Sequence, residues 1–387
     1  MSEQRFRVEH LLTEAGDVGG GTVTVADGRI VDLSEGAPDA EALDGWLVPG
    51  FVDTHVHGGG GADFATTDPA EALRALDYHR RHGTTTSFAS LVTVDIDTLC
   101  DQIETLVPLV RQGEIAGIHL EGPFLSSAKC GAHDPSLLRL PQPHLLDRVL
   151  TSGQGHIAMV TIAPELPGAL AAIERLSHSG VVAALGHTDG DEQAIAAGIA
   201  AGGTVATHLF NAMRSIHHRT PGPVPRLLTD PLTIVELICD GTHLHSDVIA
   251  MAIAAAGPDR VALITDAMVA AGMADGHYRL GALNVQVEDG VARLVGADGQ
   301  PGSIAGSTLT MAGAFAFLVT QVGISIPDAA RMAAKTPARA HGLAEVGQIS
   351  VGNRADFCLV DDHGSLLRVM RRGVWLDRSD DTPTVTS

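Results

Sequence analysis

Seven residues of this chain have the chemistry to hold a metal ion and move a proton: His55, His57, Glu121, His187, His208, His243 and Asp266. Two of the histidines alternate with Asp53 in FVDTHVHGGGG, and in a strand that spacing turns Asp53, His55 and His57 to one face. A face carrying two imidazoles and a carboxylate packs poorly, so it reads either as a polar hairpin face or as paired metal ligands. The H-x-H pair is short and arises by chance, so it cannot decide alone. The whole set is imidazoles and carboxylates without thiolates. Such donors suit Zn²⁺, Fe²⁺, Mn²⁺ or Co²⁺ and do not select among them.

The elements that must position these residues follow from the pattern around them. Candidate strands are WLVPGFVDTHVH, TTSFASLV, EIAGIHLEG, HIAMVTIAPE, VVAALGHT, GTVATHLFN, TIVELICDGTH and RVALITDAM. Helical patterns such as DPAEALRALDYHRRHG, LPGALAAIERLSHSG, DEQAIAAGIAAGG and HSDVIAMAIAAAG separate many of them. Repeated strand-then-helix units indicate a parallel sheet, and eight indicate an α/β fold of the (β/α)8 TIM-like barrel type. Each of the seven residues stands at or just after the C-terminal end of a candidate strand. In such a barrel those ends converge on one mouth, where active sites form. Taken singly, each histidine is more simply a hydrogen-bonded core or rim residue; taken together, they form a constellation.

The remaining chain frames that barrel. Residues 1–48 and 345–387 read as short strands with turns, including the hairpin signal ADGRI, and are expected to meet in one small β-sandwich domain. Residues 49–344 are expected to form the catalytic barrel, with an inserted β-hairpin near 277–303. The polar end DRSDDTPTVTS is expected to fray. Aromatic residues are only 3% of a chain that is 45% hydrophobic, so the core must be mainly aliphatic.

A formal net charge of −21 argues against a nucleic-acid binder. It leaves room for a small anionic substrate met by a local basic pocket. The start MSEQRFRVEH lacks the apolar core of a signal peptide, and the apolar run from Met311 is too short and interrupted to span a bilayer. A cytoplasmic protein without membrane contact is expected. Cys100, Cys130, Cys239 and Cys358 are scattered and form no C-x-x-C motif. Gly58 to Gly61 are not followed by the Lys and Ser/Thr of a phosphate-cradling loop, so they read as a tight turn under the site.

Further motifs carry a resemblance. PGFVDTHVHGGGG, HLEGPF, LGHTDG, THLFNAM, DGTHLH, LITDAM and AGSTLTM together resemble the N-acetylglucosamine-6-phosphate deacetylase family of the amidohydrolase superfamily. GQISVGNRADFCLVD resembles the superfamily's C-terminal sandwich segment. The similarity covers almost the whole chain. HLEGPF followed by THLFNAM is specific to this family, whereas H-x-H marks only the superfamily.

The resemblance implies a metal-dependent hydrolysis of the acetyl group of N-acetyl-D-glucosamine 6-phosphate, in amino-sugar catabolism and cell-wall recycling. Glu121, His187 and His208 would hold a principal divalent ion; His55 and His57 would help hold a second, with Glu121 bridging. Asp266 would also sit at the metal and act as general acid and base. His243 would orient and polarise the acetyl carbonyl. Asn211, Ala212 and His133 would touch the sugar or its phosphate. Arg219, in HHRTPG, would reach the 6-phosphate in the neighbouring subunit of a homodimer. His217 and His218 could by type be metal ligands, but as loop histidines beside Arg219 they read as phosphate or subunit contacts.

One residue departs from the family pattern. Cys130 stands in SSAKCGAHDP where a polar or charged residue is usual, which places a thiol on a loop expected to overhang the mouth. The competing readings are another amidohydrolase activity, such as a deaminase or cyclic amidase, and a non-catalytic scaffold of the same fold. HLEGPF and FNAM argue against the first; the retention of every ligand and of the catalytic acid argues against the second.

Overall fold

The computed structural model describes residues 3–377 apart from 15, 38, 297 and 298. Beyond Asp377, the tail expected to fray lies outside the described residues.

Eight strands form the central parallel sheet in sequential order: Phe51–Asp53, Thr84–Leu91, Gly117–Glu121, Ile157–Ile162, Val182–Leu185, Gly203–Ala206, Ile234–Ile238 and Val261–Ile264. Helices including Pro69–Arg81, Ile96–Arg111, Ala169–His178, Glu192–Ala200 and Ser246–Ala256 follow the strands and cover the sheet. Their caps are legible locally. Asp68 and Asp191, for example, accept hydrogen bonds from the first free amides of the helices they precede.

The barrel is closed by side chain and loop rather than by a ladder. The Asp53 carboxylate accepts from Thr265 Oγ1 at 2.6 Å and from the Thr265 amide at 3.3 Å. Just above, the Asp266 amide donates to the His55 carbonyl at 2.8 Å. This corrects the reading that Asp53 joins His55 and His57 on one strand face. The strand ends at Asp53, and its carboxylate is spent on the seam. Burial pushes the Asp53 carboxyl up to about 7, against hydrogen bonds from Thr265 and from the His55 amide. The candidate strand WLVPGFVDTHVH is likewise divided. Glu41–Pro49 belongs to the terminal sheet and Phe51–Asp53 to the barrel. Gly50 lies between them, where an added Cβ would stand 2.3 Å from Thr85 Oγ1.

Period-two alternation layers the barrel interior. Phe88, Met159, Ala184, Val205, Ile234 and Ala262 form an apolar cluster. Two residues further along the chain stand Ser90, Thr161, Gly186, Thr207, Glu236 and Ile264, four of the six polar. A polar layer therefore underlies the C-terminal mouth. The Ser90 hydroxyl is 2.9 Å from His119 Nδ1, His119 Nε2 is 2.9 Å from Thr161 Oγ1, and Thr161 Oγ1 is 2.9 Å from Thr207 Oγ1.

The two ends of the chain meet in one eight-stranded sheet, with Phe357–Val360 antiparallel to Glu41–Pro49. Phe6, Val23, Leu47, Phe357 and Met370 belong to its own core. The ADGRI signal forms the hairpin between Gly21–Ala26 and Arg29–Ser34, with φ of 49° at Asp27 and 75° at Gly28. The break in the strand–helix rhythm is a four-stranded antiparallel sheet of Gly276–Leu280, Leu283–Glu288, Val291–Val295 and Pro301–Ile304. Its Leu280, Val285, Val287 and Ala292 pack with Val92, Met268 and Ala270, from loops that follow the second and eighth barrel strands. That contact fixes the insertion over the mouth. Among the described residues, no helix is long and apolar enough to cross a membrane.

Candidate metal centre and substrate cavity

His187, His208 and Asp266 share a local device. Each is the second residue past its strand, and each has a left-handed backbone, with φ of 47°, 26° and 50°. Non-glycine residues held this way carry roughly 1–3 kcal/mol of strain each, and such strain collects at functional sites. His55 and His57 follow the first strand, and Glu121 ends the third.

These residues meet below the mouth. Glu121 Oε1 is 2.9 Å from His208 Nε2 and 3.0 Å from His187 Nε2, while Oε2 is 3.2 Å from His57 Nε2. His55 Nε2 lies 3.6 Å from Glu121 Oε1. Asp266 Oδ1 lies 3.2 Å from His57 Nε2 and 3.5 Å from His55 Nε2. All six are buried.

The protons of three imidazoles are assigned by what faces their other nitrogen. His57 Nδ1 donates to the Ser90 carbonyl at 3.2 Å, and His187 Nδ1 to the Lys129 carbonyl at 2.9 Å. His55 Nδ1 donates to Glu236 Oε2 at 3.3 Å. A neutral ring with its proton on Nδ1 presents a bare lone pair at Nε2. Yet Nε2 of His55 and His57 lie 3.2 Å apart, and those of His187 and His208 lie 3.1 Å apart. Lone pairs and carboxylates converging at such distances repel one another unless a cation or protons sit among them. Among the described residues, no Lys or Arg forms an ion pair with Glu121, Glu236 or Asp266. The same demand appears as proton affinity. Burial alone would lower the His57 pKa, but the Asp266 and Glu121 carboxylates raise it to about 9. This donor set fits divalent metal: His55, His57, Glu121 and Asp266 offer ligand atoms within 4.8 Å of one another.

His133 differs in its proton. Its Nδ1 accepts from the Thr93 amide at 3.3 Å, so the proton is on Nε2, which faces Glu121 Oε2 at 3.4 Å. Burial keeps this ring neutral by lowering its pKa. It is built to donate into the site.

Above the cluster opens a cavity of about 430 Å³. Glu121, His187, His208 and Asp266 line its base, and His133, Asn211, Ala212, His243 and Cys130 its walls; His55 is buried beneath. His243 Nδ1 faces Asp240 Oδ2 at 2.7 Å. Burial would raise Asp240, but hydrogen bonds with His243 and its charge hold it below the usual carboxylate range. The loop bearing Cys130 is tied down at both ends, through the Lys129 carbonyl on His187 and through His133 on Thr93.

Arg219 is not in this lining. It is exposed on the loop between His208 and the helix Pro223–Thr229, and among the described residues it makes no ion pair. Its amide donates to His217 Nδ1 at 3.3 Å, and the exposed His217 and His218 rings lie 4.4 Å apart.

Two contributors to the site are not legible in the local sequence. Glu236 sits mid-strand, where nothing local separates it from a surface acid; only the barrel's inward alternation reveals it. Leu280, Ser303 and Ile304 supply a wall of the cavity from the inserted sheet. The break in rhythm was visible there, but not its contact with the mouth.

A model of the amidohydrolase family matches residues 46–376. An N-acetylgalactosamine-6-phosphate deacetylase of Escherichia coli O157:H7 is 35% identical, over 92% of this chain and 94% of that protein. An N-acetylglucosamine-6-phosphate deacetylase of Lysinibacillus sphaericus is 32% identical, over 91% and 92%. Among solved structures, an aspartate-to-alanine variant of N-acetyl-D-glucosamine-6-phosphate deacetylase from Mycobacterium smegmatis, in complex with N-acetyl-D-glucosamine-6-phosphate, is 45% identical. It superposes with a TM-score of 0.93, covering 97% of this chain and 99% of that one.

Proposed function

The chain belongs to the amidohydrolase family, and from that premise we propose that it hydrolyses the N-acetyl group of N-acetyl-D-glucosamine 6-phosphate to glucosamine 6-phosphate and acetate. The observation that carries this reading is the convergence of His55, His57, Glu121, His187, His208 and Asp266 under a cavity sized for a phosphorylated sugar. Relatives that share almost the whole chain bear the names of deacetylases for such sugars.

Glu121, His187 and His208 would hold one divalent ion, and His55 and His57 would help to hold a second, with Glu121 shared. A bound ion supplies Lewis acidity, which lowers the pKa of water and polarises an amide oxygen. Asp266 is the proton carrier. Burial would raise its carboxyl, but with protons on the neighbouring His55 and His57 rings it is held below the usual carboxylate range, and a bound cation would act in the same sense. It faces the cavity, so it can take a proton from water and return it to the leaving amine, which departs poorly unless protonated. His243, braced by Asp240 at Nδ1, lines the cavity and would orient and polarise the acetyl carbonyl. His133 offers a donor to the sugar or phosphate; Asn211, whose amide nitrogen donates to the His208 and Leu209 carbonyls, and Ala212 line the cavity beside it.

The 6-phosphate needs a cation. Arg219 stands outside its own cavity and lacks an ion-pair partner among the described residues, which supports a role in the site of a second subunit. We assign the homodimer on that basis.

One observation favours weighing a second sugar, since a relative of 35% identity is named for the galacto epimer. Acetate release should therefore be measured from both N-acetylhexosamine 6-phosphates, with and without chelator. Release from the gluco substrate, abolished by chelation and restored by a divalent ion, is expected. Preference for the galacto sugar would reassign the substrate, and release from neither would overturn the deacetylase reading.

A further inference from the structure

Glu236 is buried inside the seventh barrel strand, with 1% of its surface exposed. A carboxylate so placed is costly unless it is paired. Its contacts are few: Thr54 Oγ1 donates to Oε1 at 3.3 Å, while His55 Nδ1 and the His208 amide approach Oε2 at 3.3 and 3.4 Å. Among the described residues no Lys or Arg forms an ion pair with it; its one ion-pair partner there is His55. It also stands on the far side of the His55 ring from Nε2, so it is not itself in the ligand cluster.

We propose that Glu236 is a positioning residue that orients His55 for metal, an inference that rests on the metal reading of His55. Two features make the orientation specific. Accepting from Nδ1 fixes the tautomer that leaves the Nε2 lone pair facing Glu121 and Asp266. The ring is also braced from the side by His119, edge-on with centroids 4.4 Å apart and planes at 75°. The same carboxylate oxygen reaches the His208 amide, so Glu236 links two ligand-bearing strand ends across the barrel. Carboxylates behind metal-bound histidines commonly raise metal affinity by holding the ring and increasing its basicity.

Two substitutions separate orientation from charge. Glu236→Gln removes the charge but keeps an oxygen that can accept from Nδ1. Glu236→Asp keeps the charge but withdraws the oxygen by one methylene. The readout is metal content by elemental analysis, with the rate of metal transfer to a chromophoric chelator; neither uses turnover. His55→Ala provides the reference for the share of metal that depends on this ring. Glu236→Asp should bind that share about 10- to 100-fold more weakly, the range for loss of such a partner. Glu236→Gln should stay close to the native protein. Circular dichroism and thermal melting in excess metal should leave both variants folded. Native retention by Glu236→Asp would overturn the proposal, as would equal losses in the two variants. If His55→Ala itself leaves metal content and release unchanged, then the metal reading of His55 falls, whatever Glu236 does.

Discussion

Asp266 carries the sharpest residue-scale expectation. Its carboxylate is both close to the ligand histidines and open to the cavity, whereas Asp53, on the other side of the same seam, is wholly buried and hydrogen-bonded to Thr265. The two acids thus divide into one that faces the cavity and one that closes the barrel. Asp266→Asn keeps size and hydrogen bonding but cannot accept a proton from water. Its kcat should fall by about 10²-fold or more, the range of general acid–base catalysis, while most metal is retained by elemental analysis. Near-native turnover would move the proton transfer to another group. At this scale the sequence is informative because the candidate ligand residues stand at or just past strand ends, and strand ends are locally readable. Asp53 shows where that stops. H-x-H with a preceding Asp looks like three residues on one face, and only the end of the strand at Asp53 and the long-range partner Thr265 take it out of the set. Glu236 is the reverse case, silent in the sequence and central in the barrel.

At the scale of elements, the four-glycine turn and the first helix depend on one another. Gly58–Gly59 pairs with Ala62–Asp63, and φ is 60° at Gly60 and 77° at Gly61. A Cβ at Gly59 would stand 2.6 Å from His79 Nε2, so the turn needs glycine to seat against the helix Pro69–Arg81. His79 in turn donates from Nε2 to the Gly58 carbonyl at 2.8 Å, and its other ring nitrogen is buried with no hydrogen-bond partner among the described residues. Burial pushes the His79 pKa down to about 4, against the Gly58 hydrogen bond that would raise it. The sign follows directly. An unfolded His79 titrates near 6.5, so its contribution to stability is present above about 6.5 and is lost as pH falls toward 4. A full share is roughly 1.4 kcal/mol per pH unit within that window. Urea unfolding at pH 7 and pH 5 should show a smaller acid loss in His79→Gln, whose amide can still donate to Gly58. Parallel losses in both proteins would mean that other groups set the acid sensitivity. The helix and the glycine run were each legible in sequence. Their packing was not, because His79 reads locally as one of three basic residues in a helix's last turn. The inserted sheet was likewise legible as an interruption, while its wall of Leu280, Ser303 and Ile304 depended on a long-range contact with Val92 and Met268.

The whole molecule poses a charge problem that one subunit leaves open. The chain carries a formal net charge of −21, and the proposed substrate is an anion. Among the described residues the cavity lining has several histidines and a single Lys or Arg, Lys129, whose side-chain nitrogen lies 4.0 Å from the Asp189 carboxylate. Arg214 occupies the same Asp189 at 3.0 Å. Arg219, five residues on, is exposed and makes no ion pair among the described residues, and a guanidinium matches phosphate with a planar fork of donors. If it completes a neighbour's site, Arg219→Ala should weaken use of the phosphorylated sugar far more than use of the unphosphorylated one. Loss of a charge-assisted contact of ~1.5–3 kcal/mol corresponds to roughly ten- to a hundredfold in kcat/KM. Sharing is then tested by mixing. Arg219→Ala and Asp266→Asn subunits are each impaired alone, and they are allowed to exchange, with mixed dimers verified by mass. In such a dimer the site that retains Asp266 receives Arg219 from its partner, so one complete site of two is restored; an equimolar, fully exchanged mixture, in which about half of the dimers are mixed, should return toward about a quarter of native activity. Confirmed exchange without recovery would place the action of Arg219 within its own subunit, or remove it from the site altogether.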